Sequence, residues 1–579
     1  MLASLRVRPL CPGCREVFAL LAVIHAGVAP QLPSLAISTV LRVLPCSCQE
    51  NAGSCRTVDI DGWFLTAGER GNPATAVDRR RGDGLAWSTG NQVSLPMHGR
   101  EYFAELAARI PDMQAGDLLL FTDWRGDPDQ LTAADGPAVS RLLCAAAGRG
   151  VLVRGLIWRS HLDRFQFSEQ ENRHLGEEVD AAGGQCLLDM RVRPGGSHHM
   201  KLMVLRHPGR AALDIAFAGG VDLCHSRRDS ADHRGDTQRQ PMAAVYGDRP
   251  AWHDLQLAIR GPAVGDIEAS FRERWADPAP LTMSPVGRLH DVADHQDDQG
   301  KRLPAQLPDP EPAGSHAVQI LRTYPNRRRG YPFAPDGERS VARGYRKALS
   351  RARELIYLED QYLWSTDVAA ALADALAGNP ALHLIAVIPR FPDQDGRLSM
   401  PPNLIGRVQA IDLLRQAGGE RAAVYCLENQ AGKPVYVHAK VCVLDDTWAA
   451  VGSANLNRRS WTHDSELTCA VLDQADDADR SSGFARQLRG TLSREHLGLA
   501  GEAEADLDPR ATFAAFQASA TALDGWHAGG RKGSRPPGQL RRYQLPELDA
   551  WTRAWATPLY KLIYDPDGRP GRMRRSGEF

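Results

Sequence analysis

An apolar strand with a histidine and a lysine set inside it occurs twice in this chain. One copy is VYVHAKVCVLDD at 435–446, the other SHHMKLMVLR at 197–206. Side chains alternate along a strand, so His199 and Lys201 share a face, as do His438 and Lys440. The flanking runs, LMVL (202–205) and VCVL (441–444), are apolar at every position, the pattern of a strand covered on both sides. A lysine beside such a run is costly unless it meets an anion. A phosphate between two imidazoles and two ammonium groups satisfies all four, so the copies read as two halves of one site.

The surroundings repeat as well. In the first half, a helical pattern at 102–110 precedes the strand LLLFTDW (118–124), a helix at 136–150 and the strand VLVRGLIW (151–158). In the second, a helix at 340–355 precedes IYLEDQYLW (356–364), a helix at 367–380 and LHLIAVIPRF (382–391). Each His-x-Lys strand is followed by a turn and a small-residue signature, FAGGVDL (217–223) and AVGSANL (450–456). Apolar strands alternating with helices indicate a covered sheet. The predicted fold is α/β: a tandem pseudo-twofold pair of α/β/α sandwiches with mixed central sheets and the site at their interface. The expected boundaries are an N-terminal extension 1–58, a first half 59–279, a linker 280–316 rich in Pro, Asp and Gln, a second half 317–500, and a C-terminal extension 501–579 packing on the core and ending in a basic tail. The charged stretches 159–185 and 225–245 read as loops near the site.

Composition limits the partners. Charged residues are 24% and the net charge is −1, which argues against an electrostatic nucleic-acid binder. The run VFALLAVIHAGVA (17–29) resembles a signal-peptide core but is too short to span a bilayer, and an irregular extension explains it equally well. No other stretch has about 18 apolar residues in a row, so the body is not expected to be integral to a membrane. Five of eleven cysteines fall in the first 55 residues, at spacings that fit no common zinc module. The others, such as Cys442 and Cys469, read as buried thiols.

HAKVCVLD with GSANLNRRS resembles the His-Lys-Asp signature of the phospholipase D superfamily. FTDWRGDPD (121–129), AGGVDLCHSRRD (218–229), WHDLQLAIRGPAVGDIEASFRERW (252–275) and IYLEDQYLW (356–364) are similar to its phospholipase D branch, and the resemblance covers roughly residues 59–480. It implies that one histidine, His199, attacks phosphorus while the other, His438, protonates the departing alcohol and then activates water. Lys201, Lys440 and Asn455 would hold the phosphate oxygens. With two lysines present the chemistry requires no metal and no cofactor. Each imidazole needs an acceptor to fix its tautomer. Glu466, 28 residues after His438, and Asp229, 30 after His199, are the expected partners.

The first motif departs from the signature. Asp445 lies seven residues after His438, and Arg206 stands seven after His199. Six extra residues in the following hairpin bring Asp214, which either replaces the absent carboxylate or begins the next strand. Asp445 resembles a structural support more than a reacting group. Asp222 matches Asn455 in position but carries a charge that phosphate would repel, so it is expected to point elsewhere. His253 and Asp254 in WHD read as packing support or substrate contacts. Glu359, Gln361, Trp124 and Arg125 end strands at the expected catalytic rim.

The resemblance implies a phospholipase D acting on glycerophospholipid at a membrane surface, by peripheral contact, in the cytoplasm or outside the cell. Both motifs lie in one chain, so a monomer is expected, with no nucleic-acid partner. The alternatives are a cardiolipin synthase-like phosphatidyltransferase, a nucleic-acid phosphodiesterase, and an inactive lipid-binding protein.

Overall fold

The apolar runs form strands and the amphipathic stretches between them form the helices that cover them. In the computed structural model, residues 59–579 are described except 96–97, 161–168, 283, 285–298, 397, 474–482 and 500–506. The cysteine-rich extension 1–58 therefore lies outside the described residues, as does much of the linker. The first-half strands are β1 (Ser88–Ser94), β2 (Leu118–Asp123), β3 (Leu152–Trp158), β4 (Gln185–Asp189), β5 (Leu202–Arg206), β6 (Ile215–Gly219), β7 (Ala251–His253) and β8 (Gln256–Arg260). The second-half strands are β9 (His316–Tyr324), β10 (Glu338–Arg339), β11 (Leu355–Glu359), β12 (His383–Val387), β13 (Ala422–Leu427), β14 (Val435–Val437), β15 (Val441–Leu444), β16 (Trp448–Gly452), β17 (Glu466–Asp473) and β18 (Leu540–Arg542).

The sheet is mixed, as predicted. β2, β3 and β4 run parallel, and so do β11, β12 and β13. β5 then pairs antiparallel with β2, as β15 does with β11. The order is β18-β13-β12-β11-β15-β16-β17-β9-β1-β8-β6-β5-β2-β3-β4, with β10 on β9. The antiparallel β1–β9 pair joins the halves edge to edge, so the two sheets are one surface. One apolar core contains residues of both halves, from Leu118 and Val204 to Tyr357 and Val443. Two further cores cover the opposite faces: one lies within the first half, and the other joins second-half residues to Trp63, Phe64, Leu65, Ala86 and Trp87 of the first and to Tyr543 and Phe579. At about 1.5–3 kcal/mol for each fully buried Val or Leu, these layers dominate the stability. No described helix is long and apolar enough to cross a membrane.

Two local expectations change. Part of the 159–185 stretch is a helix, Glu169–Ala181, which buries Leu175 and Val179 one turn apart. Each His-x-Lys stretch is also interrupted where one strand was expected. β14 ends at Val437 and β15 begins at Val441, with His438 and Lys440 in the break. β15 belongs to the main sheet, whereas β14 pairs in parallel with β7 of the other half. The first copy behaves likewise: His199 N donates to Ser465 O at 2.9 Å, and Ser465 N to Ser197 O at 3.0 Å. The chain changes hydrogen-bonding partner at each histidine, and each half takes hold of the other there.

The departure at Arg206 is resolved by burial. Asp445 accepts from three backbone N–H groups, of Arg353, Glu354 and Leu355, at 2.6, 2.8 and 2.9 Å, and so fixes the start of β11. Asp214 does not replace it in the first half. Arg206 is fully buried, with Nε 3.0 Å from Asp214 Oδ2 and a terminal nitrogen 3.0 Å from Glu268 Oε2. It also donates to Pro308 O, tying the hairpin to the linker. Arg206→Ala takes the buried cation shared by Asp214 and Glu268, leaving Glu268 with Arg272 and Asp214 with His207, and is expected to cost about 3 kcal/mol, read as a lower urea midpoint. Arg206→Asp restores the signature residue yet is expected to be worse, because three carboxylates then share one dry site. A wild-type midpoint for either variant contradicts this account.

Candidate active site

The exchange of strands decides which carboxylate meets which histidine. Glu466 begins β17 in the second half, and its oxygens lie 2.9 and 3.1 Å from Nδ1 of His199 in the first half. Asp254 follows β7 in the first half, and its Oδ2 lies 2.6 Å from Nδ1 of His438 in the second. The two carboxylates occupy equivalent places. Gly219 pairs with Gln256 and Gly452 with Thr468, and the acid stands two residues before each partner. The expectation that Glu466 serves the histidine of its own half is therefore corrected. Asp229 is not a partner of His199. It accepts from the backbone of Ser230, Gly235 and Trp252 at 2.9–3.0 Å, and so shapes the loop leading into β7. Partner choice followed strand exchange, which distance along the chain does not encode.

The small-residue signatures now have a physical reason. A Cβ on Gly220 would lie 2.1 Å from Asp254 Oδ1, so only glycine leaves room for that carboxylate. At the matching position Ser453 Oγ donates to Glu466 Oε2 at 2.5 Å, and Ser460 Oγ donates to Oε1 at 2.7 Å. Neither serine was singled out in the sequence. Their signal was the Gly-Gly against Gly-Ser difference between the halves.

Both imidazoles use Nδ1 for a carboxylate, which leaves Nε2 of each free for chemistry. Burial, Lys201 and Lys440 hold His199 well below the usual histidine range. Burial and Lys440 lower His438 to about 3, against the pull of Asp254. Burial and Asp464 push Glu466 up, opposed by the Ser453 hydroxyl, Lys201 and the Ser460 hydroxyl. Lys201 donates to His199 O at 3.0 Å and lies 3.4 Å from Asp222 Oδ1. Asp222 thus faces a lysine and also accepts from the Trp124 and Arg125 backbone. Although burial raises it, Lys201 and Arg227 keep its carboxyl below the ordinary value. Lys440 donates to Gln361 Oε1 at 3.2 Å and to His438 O. Asn455 is buried, and its Oδ1 accepts no hydrogen bond from the described residues. Glu359 does not reach this site. It is fully buried behind it, accepting from His253 and His496.

Aromatic rings wall the site. Trp124 meets the His199 ring edge-on at 6.3 Å and stacks on Trp158. Trp252 lies 5.0 Å from the His438 ring, with the Arg227 guanidinium 3.9 Å above it. His198 is buried on the far side of the strand from His199, with both nitrogens unpartnered among the described residues. A buried cationic clamp flanked by two carboxylate-held imidazoles is preorganised for a phosphodiester anion.

The lysines make a pH prediction. Burial and Lys201 lower Lys440 to about 8, opposed by Asp254. The ammonium is charged below that value and lost above it. The kcat/KM profile is therefore expected to fall as pH rises through about 8. Lys440→Arg, which stays charged, should lose this limb at a lower absolute rate. A profile flat to the lysine range contradicts the assignment.

Comparison with known proteins points to one superfamily. A family model described as Phospholipase D matches residues 134–387, and one described as Cardiolipin synthase, PLD-like domain matches residues 345–488. Phospholipase D alpha 1 of Cynara cardunculus is 24% identical, over 64% of this chain and 60% of its own length. Phospholipase D alpha 1 of Arabidopsis thaliana is 25% identical, over 63% and 59%. The chain spans about three fifths of the length of these relatives. Among solved structures, phosphatidylserine synthase of Haemophilus influenzae aligns with a TM-score of 0.48 at 13% identity, over 72% of this chain and 90% of that one. The first match contains His199 and Lys201 and the second His438, Lys440 and Asn455, so that each half of the duplicated site falls within the same superfamily, and the chain belongs to the phospholipase D superfamily of enzymes.

Proposed function

We propose that this enzyme hydrolyses glycerophospholipids to phosphatidic acid and the free head-group alcohol through a phosphohistidine. The observation that carries the reading is the crossed pair of dyads, His199–Glu466 and His438–Asp254, around two buried lysines. His199 is assigned as nucleophile, in keeping with the more open imidazole, 14% exposed against 6% for His438. Its Nε2 attacks phosphorus as the bond to the head-group oxygen breaks. The departing oxygen takes a proton from His438 Nε2, which the bound anion makes easier to protonate than in the empty, cationic site. Water then attacks phosphorus and gives its proton to His438, and the nitrogen–phosphorus bond breaks to release phosphatidate. An alcohol in place of water yields the transfer product. Lys201, Lys440 and Asn455 neutralise and hold the non-bridging oxygens.

Purified protein incubated with phosphatidylcholine vesicles should release choline and phosphatidic acid, with phosphatidylethanol appearing when ethanol is added. The second family match favours one other outcome, transfer between lipids. Cardiolipin and glycerol from phosphatidylglycerol, with no choline release, would assign a synthase. Release from no phospholipid, with cleavage of DNA ends, would overturn the lipid reading.

A further inference from the structure

Behind His438 lies a second set of chemistry-bearing side chains that phosphoryl transfer does not use. His98 precedes the helix Gly99–Arg109, His233 sits in the 225–245 loop, His253 ends β7, and Glu495 stands on the helix Phe484–Leu497. The three histidines are 2%, 0% and 0% exposed and the Glu495 side chain 5%. Their rings form a triangle with all three centroid separations at 5.3 Å. Three imidazoles on one tetrahedral zinc, with bonds of about 2.0–2.1 Å, place their centroids about 5.2 Å apart. His98 Nε2 and His233 Nε2 each lie 2.9 Å from a Glu495 oxygen, and His253 Nδ1 lies 3.2 Å from one. The ligand–ligand edge of such a tetrahedron is about 3.3 Å.

The nitrogens face inward as ligands do. His253 Nδ1 is fully buried and makes no hydrogen bond, although the Glu495 oxygen is near. Its Nε2 lies 2.6 Å from Glu359 Oε2, and that carboxylate also accepts from His496 Nε2 and the Tyr357 hydroxyl. A carboxylate holding the outer nitrogen of a ligating histidine is the usual support of a metal ligand. His233 Nδ1 donates to Trp252 O at 3.0 Å, which turns the Nε2 lone pair toward Glu495.

We propose that His98, His233, His253 and Glu495 bind a structural transition-metal ion, with zinc the best match to three imidazoles and one carboxylate. The ligand atoms of His98, His253 and Glu495 lie within 4.8 Å of one another, and His233 approaches the same carboxylate at 2.9 Å, so protein supplies the fourth position and the ion is a staple that does not enter the phosphoryl chemistry. It joins four separate segments. The His253 carbonyl also accepts from His438 N at 2.7 Å, so the staple fixes the backbone of a catalytic histidine.

The test uses full-length protein equilibrated with zinc and dialysed. One equivalent of zinc is expected, with an X-ray absorption shell of nitrogen and oxygen at about 2.0 Å and no sulfur at about 2.3 Å. Cobalt substitution should give the intense visible bands of a tetrahedral site. The ion should persist when Cys11, Cys14, Cys46, Cys48 and Cys55 are all replaced by serine. It should be lost in His98→Ala and His233→Ala, with circular dichroism reporting whether these remain folded. Stripping with chelator should lower the melting temperature, and zinc should restore it. Folded wild-type protein that retains no ion, or an ion bound through sulfur and lost with the five cysteines, overturns the proposal.

Discussion

His199→Asn is expected to abolish turnover of every substrate, whereas His438→Asn should fail selectively. On phosphatidylcholine both variants should fall by about 10⁴-fold, because the choline oxygen is a poor leaving group that needs both attack and protonation. A phosphatidyl ester of p-nitrophenol separates the roles, since that leaving group departs without a proton. His438→Asn retains the nucleophile and should release one equivalent of nitrophenol per enzyme in a rapid burst. It should then stall, because nothing activates the water. His199→Asn should show no burst. A burst in His199→Asn and none in His438→Asn would exchange the two roles, which the near symmetry of the dyads permits. Steady turnover in either variant would remove the two-histidine mechanism.

The site was legible in sequence only as far as local patterning reaches. His199, Lys201, His438 and Lys440 stood out because polar groups inside apolar strands are costly, and that cost does not depend on tertiary context. The order of helices and strands followed from apolar periodicity for the same reason. What the chain does next is set by strand pairing between halves. β14 leaves the main sheet to pair with β7, and residues 197–199 pair with 464–465. Those pairings carry Asp254 to His438 and Glu466 to His199, over separations of 184 and 267 residues. No spacing rule finds them. Distance along the chain favoured Asp229, which turns out to hold the loop before β7. Arg206 was conspicuous as an anomaly, but its partner Glu268 lies on the helix Ala263–Trp275, so its role could not be read locally. The His–Glu cluster escaped notice for the same reason, its members being spread from residue 98 to residue 495.

The crossed dyads predict which step each carboxylate controls. Glu466→Gln replaces an acceptor with an amide that can also donate, which favours the tautomer with the proton on His199 Nε2. The lone pair that should attack phosphorus is then occupied. With the nitrophenyl ester the burst itself should slow, by roughly 10²–10⁴-fold on the precedent of carboxylate-to-amide changes at catalytic histidines. Asp254→Asn does the same to His438, so the burst should stay fast while the following steady state slows by a similar factor. Pairing within each half would give other results: Glu466→Gln would spare the burst, and Asp229→Asn would slow it. Crossed pairing gives Asp229→Asn a normal burst and a lower melting temperature, because three backbone donors lose a charged acceptor. Adding His199→Asn to Glu466→Gln should cost nothing beyond His199→Asn alone, since the carboxylate acts only through the ring it holds. A further loss in that double variant would show that Glu466 has a second partner in the reaction. The burst and the steady state together thus read, from kinetics alone, which half of the chain supplies the acid for which histidine.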